Sequence, residues 1–340
     1  MERQAVDIFL TNSSSIPLLD VRSPGEYKVG HIPSASSFPL FTDEERAVIG
    51  TLYKTEGRNS AIKKGLEIVG PTMTAFIEGA ESFGSPVLAL YCWRGGMRSE
   101  SMAWLMERYG FQAIVLEGGY KAYRNHLLSY FNQCLPLKVI TGYTGSKKTS
   151  FLHILRERGE QIIDLEGLAQ HQGSSFGNKK SHHQPSTEHF QNLLFAEFSR
   201  LDLNKPIWIE DECMRIGQVN LPENLFHQMS KSPHIFLDVA AEQRIDFLLE
   251  DYGSLTREEL VDATEGIRRK LGPDKAERAI QYLHSGELRK AAEIILTYYD
   301  VRYRASIEKK KHLVQEYYKI SLEELPALAS KLAIKNIHAI

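Results

Sequence analysis

Two stretches of this chain read as an apolar strand that runs through a glycine-bearing loop into a helix. They are PVLALYCWRGGMRSESMAWLMERYG (86–110) and PLKVITGYTGSKKTSFLHILRERGE (136–160). A short apolar run bounded by Gly or Pro fits a strand buried on both faces, and helices between such strands make the crossovers of a parallel sheet. IPLLDVRS (16–23), QAIVLEGG (112–119), QIIDLEG (161–167), PIWIEDE (206–212) and HIFLDVA (234–240) repeat the strand pattern. From Ala241 onward the pattern reads as helical, through LRKAAEIILTYYDVRYRASIEKKKHLVQEYY (288–318). The expected fold class is α/β, with two parallel-sheet domains and a helical C-terminal region on the second. The 340 residues suit two domains at roughly 150 residues each. The boundary is placed near Cys134–Pro136, giving domains over 1–134 and 135–340.

Composition narrows the function classes. A net charge of −2 gives no global field for nucleic acid, so RNA binding would need a local basic patch. Cys92, Cys134 and Cys213 form no C-x-x-C pair, which argues against a disulfide framework or structural zinc and for a reducing compartment. MERQAVDIFL lacks the apolar core of a signal peptide, and no run of about 18 apolar residues suggests a membrane span. The expected location is the cytoplasm, with no membrane and no protein partner evident. The polar segment HQGSSFGNKKSHHQPS (171–186) is long for an idle connection and reads as a functional or mobile loop.

Cys92 stands at the carboxyl end of a buried strand, the edge where α/β sheets bind ligands. Trp93, Arg94, Gly95, Gly96, Met97 and Arg98 follow it. The glycine pair permits a tight turn with inward amides, the helix after it offers free N–H groups, and Arg94 and Arg98 add positive charge. Such a setting favours an anionic sulfur, persulfide or selenide and an oxyanion on the incoming donor. Cys134 and Cys213 have no such surroundings and read as buried structural thiols.

LLDVRSPGEYKVGHIPSA (18–35) followed by LYCWRGGMRS (90–99) resembles a rhodanese domain, with Asp20, Arg22, Gly30, His31, Ile32, Pro33 and Ala35 in its signatures. VLEGGY (115–120) is similar to the strand and glycine pair after the family's active helix. The resemblance implies that Cys92 is the chalcogen-carrying nucleophile and that His31 is structural.

In the second domain GYTGSKKT (142–149) lies between strand and helix, as a phosphate-binding loop must. Gly142, Lys148 and Thr149 match the G-x-x-x-x-G-K-[ST] pattern, and Gly145 and Ser146 bring amides to the apex. Lys147 occupies the second glycine position. Either the loop still binds a diphosphate or nucleotide, or that binding is weakened and the loop is a relic or an RNA contact. In PIWIEDE, Glu210, Asp211 or Glu212 could hold a magnesium ion or a water, or could simply be solvated carboxylates, with Arg215 near them.

The pairing, together with DLEGLAQHQGSSFG (164–177), EDECMRIG (210–217), LDVAAEQRI (237–245) and YYDVRY (298–303), resembles the bacterial tRNA 2-selenouridine synthase family over residues 10 to 310. The family pattern has glycine at position 147 and serine at 213. The resemblance implies a selenotransferase that converts the wobble 2-thiouridine of tRNA to 2-selenouridine. Its co-substrates would be selenophosphate and geranyl diphosphate, the latter making an S-geranyl intermediate, with no tightly bound cofactor and magnesium as an option. Cys92 would carry selenium as a selanyl-cysteine, and Gly142, Gly145, Ser146, Lys148 and Thr149 would grip a diphosphate. A sulfurtransferase with a regulatory nucleotide domain and a non-catalytic RNA-binding protein are the alternatives. Basic candidates for tRNA are Lys179–Lys180 with His182–His183, Arg268–Lys270, Arg302, Arg304 and Lys309–Lys311. Tyr298, Tyr299 and Tyr303 read as core. His171, His182, His183 and His189 lack metal-ligand spacing, so no metal centre is expected from them.

Overall fold

A computed structural model of the protein describes residues 1–171, 184–252 and 255–337. The chain divides into two units, Met1–Tyr130 and Phe131–Ile340.

The first unit holds β1 (Glu2–Gln4), β2 (Leu18–Asp20), β3 (Ser36–Ser37), β4 (Val87–Tyr91) and β5 (Gln112–Leu116). All pair in parallel, in the order β1-β5-β4-β2-β3. The apolar run Leu88–Tyr91 of central β4 has no exposed surface, as a strand covered by helices on both faces requires. β1 and β3 are edge strands too short to show a period. The connections after β2 and β4 leave in opposite directions, so the crevice at their carboxyl ends lies between the turn after Asp20 and the turn after Tyr91.

A buried ion pair frames that crevice. Arg22 and Asp20 are 1% and 0% exposed. The Arg22 guanidinium donates to both Asp20 oxygens, from Nε at 2.9 Å and Nη2 at 2.5 Å, and Nη2 also donates to the Gly30 carbonyl at 2.6 Å. Its other face covers the Tyr120 ring, 3.9 Å from the centroid. The D-V-R and G-H-I-P signatures are thus joined by one side chain. His31 stacks on Tyr27 at 3.8 Å.

The second unit holds β6 (Leu137–Gly142), β7 (Gln161–Ile163), β8 (Ile207–Glu210), β11 (His234–Asp238) and β12 (Val314–Lys319), in the order β12-β11-β6-β8-β7 and all parallel. A small antiparallel pair, β9 (Arg215–Ile216) and β10 (Val219–Asn220), follows β8. Trp208 is fully buried on β8 and donates to Glu160 at 2.7 Å. Helices from Arg257 to Lys310 build a separate apolar cluster around Leu260, Ala276, Ala279 and Leu283. The helical reading after Ala241 fails at 314–319, which form edge strand β12. Their side chains alternate between half-buried and exposed, a period of two that lies within a run rich in helix formers. Among the described residues no helix is long and apolar enough to cross a membrane.

Replacing Asp20 with Ala strands a buried guanidinium, and Arg22→Met strands a buried carboxylate. Urea unfolding of either variant should show a loss of about 3–5 kcal/mol, the range for breaking a buried pair from one side.

Candidate active site and phosphate-binding loop

In the first unit, the residues after β4 lie against the turn after β5, backbone to backbone. Gly95 has φ +61, and a Cβ there would sit 2.4 Å from the Leu116 carbonyl. Gly119 has φ +59, and its Cβ would sit 2.3 Å from the Gly95 nitrogen and 2.4 Å from the Cys92 carbonyl. Only glycine fits either place. The amides of Tyr120 and Lys121, opening the helix Gly119–Tyr130, donate to the carbonyls of Cys92 and Trp93 at 2.8 and 3.0 Å. Gly96 has a negative φ and open space where a Cβ would stand, so the fold does not require it to be glycine.

Cys92 is 3% exposed and lies at the start of this loop. The helix Met97–Tyr109 begins at Gly96 without a side-chain cap, leaving its first N–H groups free of one. From its first turn, buried Ser99 donates through Oγ either to Cys92 Sγ at 3.2 Å or to the Gly96 carbonyl at 3.1 Å. The hydroxyl has one proton, so an anionic sulfur draws it from the carbonyl. Ser99 closes the C-W-R-G-G-M-R-S stretch, and only its place in the first helical turn marks it. The two arginines differ. Arg98 donates to Glu26 at 2.7 Å, and Glu26 also faces Arg46 at 3.3 Å, so the Arg98 charge is shared with a carboxylate. Arg94 is exposed. Cys92, Trp93, Arg94, Gly96, Met97 and Arg98 all line one cavity of about 760 Å³, closed on its other side by the helices Asp43–Thr55 and Arg58–Val69.

In the second unit, the loop after β6 has the backbone of a phosphate cradle. A Cβ on Gly142 would meet Ser146 Oγ at 2.7 Å and the Leu237 carbonyl at 2.8 Å. Gly145 has φ +83 and packs on the backbone of Arg244. Arg244, 3% exposed, donates to the Thr144 carbonyl at 3.1 Å and to both Asp300 oxygens at 2.9 and 2.8 Å. Lys147 keeps the left-handed conformation that a glycine would adopt, φ 54 and ψ 39. Its ammonium lies 4.6 Å from the centroid of Phe247. Ser146 Oγ is buried without a hydrogen-bond partner.

Lys148, the residue after Lys147, is buried. Burial opposes its charge, but Tyr303, Glu212, Glu166 and Glu210 outweigh that and raise its pKa. Its Nζ stands 5.5 Å from the Tyr303 ring centroid, so Tyr303 belongs to this site rather than to a separate core. Thr149 Oγ1 is 2.8 Å from Glu210 and 3.0 Å from Glu166, and the Glu166 amide donates to Glu210 at 3.0 Å. Burial, with Glu166 beside it, pushes the Glu210 carboxyl up to about 8. Burial likewise pushes Glu212 well above the usual range. Ligand oxygens of Glu166, Glu210 and Glu212 lie within 4.8 Å of one another. Three hard oxygen donors and a hydroxyl suit a magnesium ion, and the excess of buried negative charge is what a cation would relieve. Asp211 instead accepts from Thr141 at 3.0 Å. The acidic group was only partly legible: Glu166 comes from DLEG, 44 residues before Glu210.

Cys134 and Cys213 are exposed, contrary to the buried reading, because each lies in a loop beyond a strand or helix end. Lys179, Lys180, His182 and His183 lie outside the described residues, as do the side chains of Arg302, Lys309 and Lys310. Arg268 pairs with Glu265 and Glu277, and Lys311 with Glu308.

Two family models match the chain, a rhodanese-like domain over residues 6–126 and a tRNA 2-selenouridine synthase AAA domain over 135–323. A tRNA 2-selenouridine synthase of Nitrosomonas europaea is 39% identical over 246 residues, covering 69% of this chain and 63% of the relative. This chain therefore spans just under two thirds of that relative's length. One of Psychromonas ingrahamii is 32% identical over 333 residues, covering 88% of this chain and 90% of its own. A solved structure from Clostridium difficile 630, the N-terminal domain of a protein described as ATP/GTP-binding, is 36% identical. It covers 37% of this chain and 99% of its own at a TM-score of 0.36. The two units are thus a rhodanese-like domain and an AAA-type parallel-sheet domain with a helical region.

Lys147→Gly should stabilise the second unit by roughly 0.5–1 kcal/mol. That is the 1–2 kcal/mol strain of a left-handed Cβ less the added chain entropy of glycine, and denaturant melts will read it. The raised Glu210 makes the folded state bind a proton that the unfolded state releases above about 4.5. Stability in chelator should therefore fall as pH rises from about 4.5 to about 8. Glu210→Gln should flatten that slope in thermal melts.

Proposed function

The chain belongs to the tRNA 2-selenouridine synthase family, and from that membership we propose that it is an enzyme replacing sulfur by selenium at C2 of the wobble 2-thiouridine of tRNA. Selenophosphate is the selenium source, and the cytoplasm, where tRNA is met, is the place of work. The observation that carries the reading is Cys92, a recessed thiol lining a cavity, with the Ser99 hydroxyl at 3.2 Å as a donor to anionic sulfur.

Geranyl diphosphate primes the base. The thiouridine sulfur attacks C1 of the geranyl group, a C–S bond forms, and the C–O bond breaks with diphosphate leaving. Gly142, Gly145, Ser146, Lys148 and Thr149 hold that diphosphate, and the unpartnered Ser146 hydroxyl supports a ligand there. Glu166, Glu210, Glu212 and Thr149 would hold magnesium, which when bound neutralises diphosphate charge. Cys92 then carries selenium. Its thiolate attacks selenium of selenophosphate, an S–Se bond forms, and the Se–P bond breaks with its electron pair on phosphorus, which leaves as phosphite. The bound selenium adds to C2 and geranylthiolate departs. A thiol reductant cleaves the remaining S–Se bond, and the disulfide it forms accounts for the two electrons gained by phosphorus. Covalent transfer divides one hard displacement into easier steps.

Nucleoside mass spectrometry on 2-thiouridine tRNA, with selenophosphate and geranyl diphosphate supplied singly and together, tests the reading. Cys92→Ser should form S-geranyl-2-thiouridine but no 2-selenouridine. Phosphorus NMR separates two routes: phosphite supports selenium on Cys92, whereas phosphate alone means selenium attacks C2 directly and removes the carrier role.

A further inference from the structure

The cavity beside Cys92 has a second property, the charge and chemistry of its mouth. Its lining includes the cations Arg46, Lys54, Arg58, Arg94 and Arg98 and no carboxylate. Arg46 and Arg98 share Glu26, whereas among the described residues Lys54, Arg58 and Arg94 have no ion-pair partner. The chain as a whole has a net charge of −2, so this concentration of positive charge is local. Two aromatic rings stand exposed in the same lining, Tyr53 at 59% and Trp93 at 37%. Behind them the wall is apolar, formed by residues such as Leu40, Ala61 and Val69.

We propose that this mouth is the RNA-docking surface and takes an unpaired, splayed segment, with bases stacked on the exposed rings of Tyr53 and Trp93 and flanking phosphates on Lys54, Arg58 and Arg94. Three features favour single-stranded RNA. Exposed rings stack on unpaired bases, cations meet phosphates, and a thiol 3% exposed cannot reach C2 of a base inside a helix. The proposal rests on tRNA being the substrate, but it locates the contact on the helices Asp43–Thr55 and Arg58–Val69, outside every basic run that the sequence pattern marks.

The test uses the full-length protein and a 2-thiouridine anticodon stem-loop, with a blunt duplex of equal length as control. Lys54→Ala with Arg58→Ala should weaken stem-loop binding. The slope of log affinity against log salt should fall by about 1.4, at about 0.7 per phosphate contact on a single strand. Chalcogen loading of Cys92 from thiosulfate without RNA should be unchanged. An unchanged slope, equal binding of the duplex, or loss of loading with RNA affinity intact overturns the proposal, the last because the cations would then serve the small anionic donor. Photocrosslinking of the thiouridine to the unaltered protein needs no variant. Adducts on peptides from 46–66 or 92–98 support the surface, and adducts confined to the second unit overturn it. None of these readouts requires turnover, so they stand even if selenium proves to be the wrong cargo.

Discussion

The contact between Gly95 and Gly119 fixes where Cys92 stands. Two backbones approach so closely that neither position tolerates a Cβ, and the helix that begins at Gly119 uses its first amides to hold the carbonyls of Cys92 and Trp93. Arg22, buried against Asp20, Gly30 and Tyr120, ties the neighbouring turn to the same helix. The thiol therefore faces its cavity from a rigid seat, and only its proton-donating neighbour, Ser99, has a choice of partners.

The phosphate loop reaches a comparable rigidity by other means. Its glycines at 142 and 145 meet backbone atoms, but its apex is held by a side chain, Arg244, from the helix Ala241–Tyr252. Support from outside explains how a lysine can occupy a left-handed position in the loop. The local preference of Lys147 opposes that conformation by an amount small beside the packing that imposes it.

The central strands were legible because a strand covered on both faces must be apolar throughout, as Val87–Tyr91 and His234–Asp238 nearly are. Edge strands were not: β1 and β3 have too few residues to carry a pattern, and β12 hides its alternation among Gln, Glu and Lys. Cys92 and the glycines at 142 and 145 stood out through residue types with narrow backbone or chemical uses. Residues that act by arriving from elsewhere gave less sign. Glu166 joins Glu210 from the short helix Leu165–Ala169 after β7, and Tyr303 looks like any helical aromatic until it lies near Lys148. Lys54 and Arg58 belong to no motif in the sequence, and only the pairing of the helices Asp43–Thr55 and Arg58–Val69 brings them to the cavity that Cys92 lines. Arg98 was visible as a charge, but its partner Glu26 is 72 residues away.

The bonds that shape the phosphate loop span long stretches of chain. Arg244 lies 100 residues beyond Thr144 and pairs with Asp300 a further 56 residues on. Closing such separations is slow compared with forming a strand–loop–helix unit. In a chain made from its N-terminus, the glycine loop leaves the ribosome long before the groups that give it its shape. The Cys92 loop and the backbone groups that hold it all lie no later than Lys121, whereas the 142–149 loop has its supports only once residues 244 and 300 are in place.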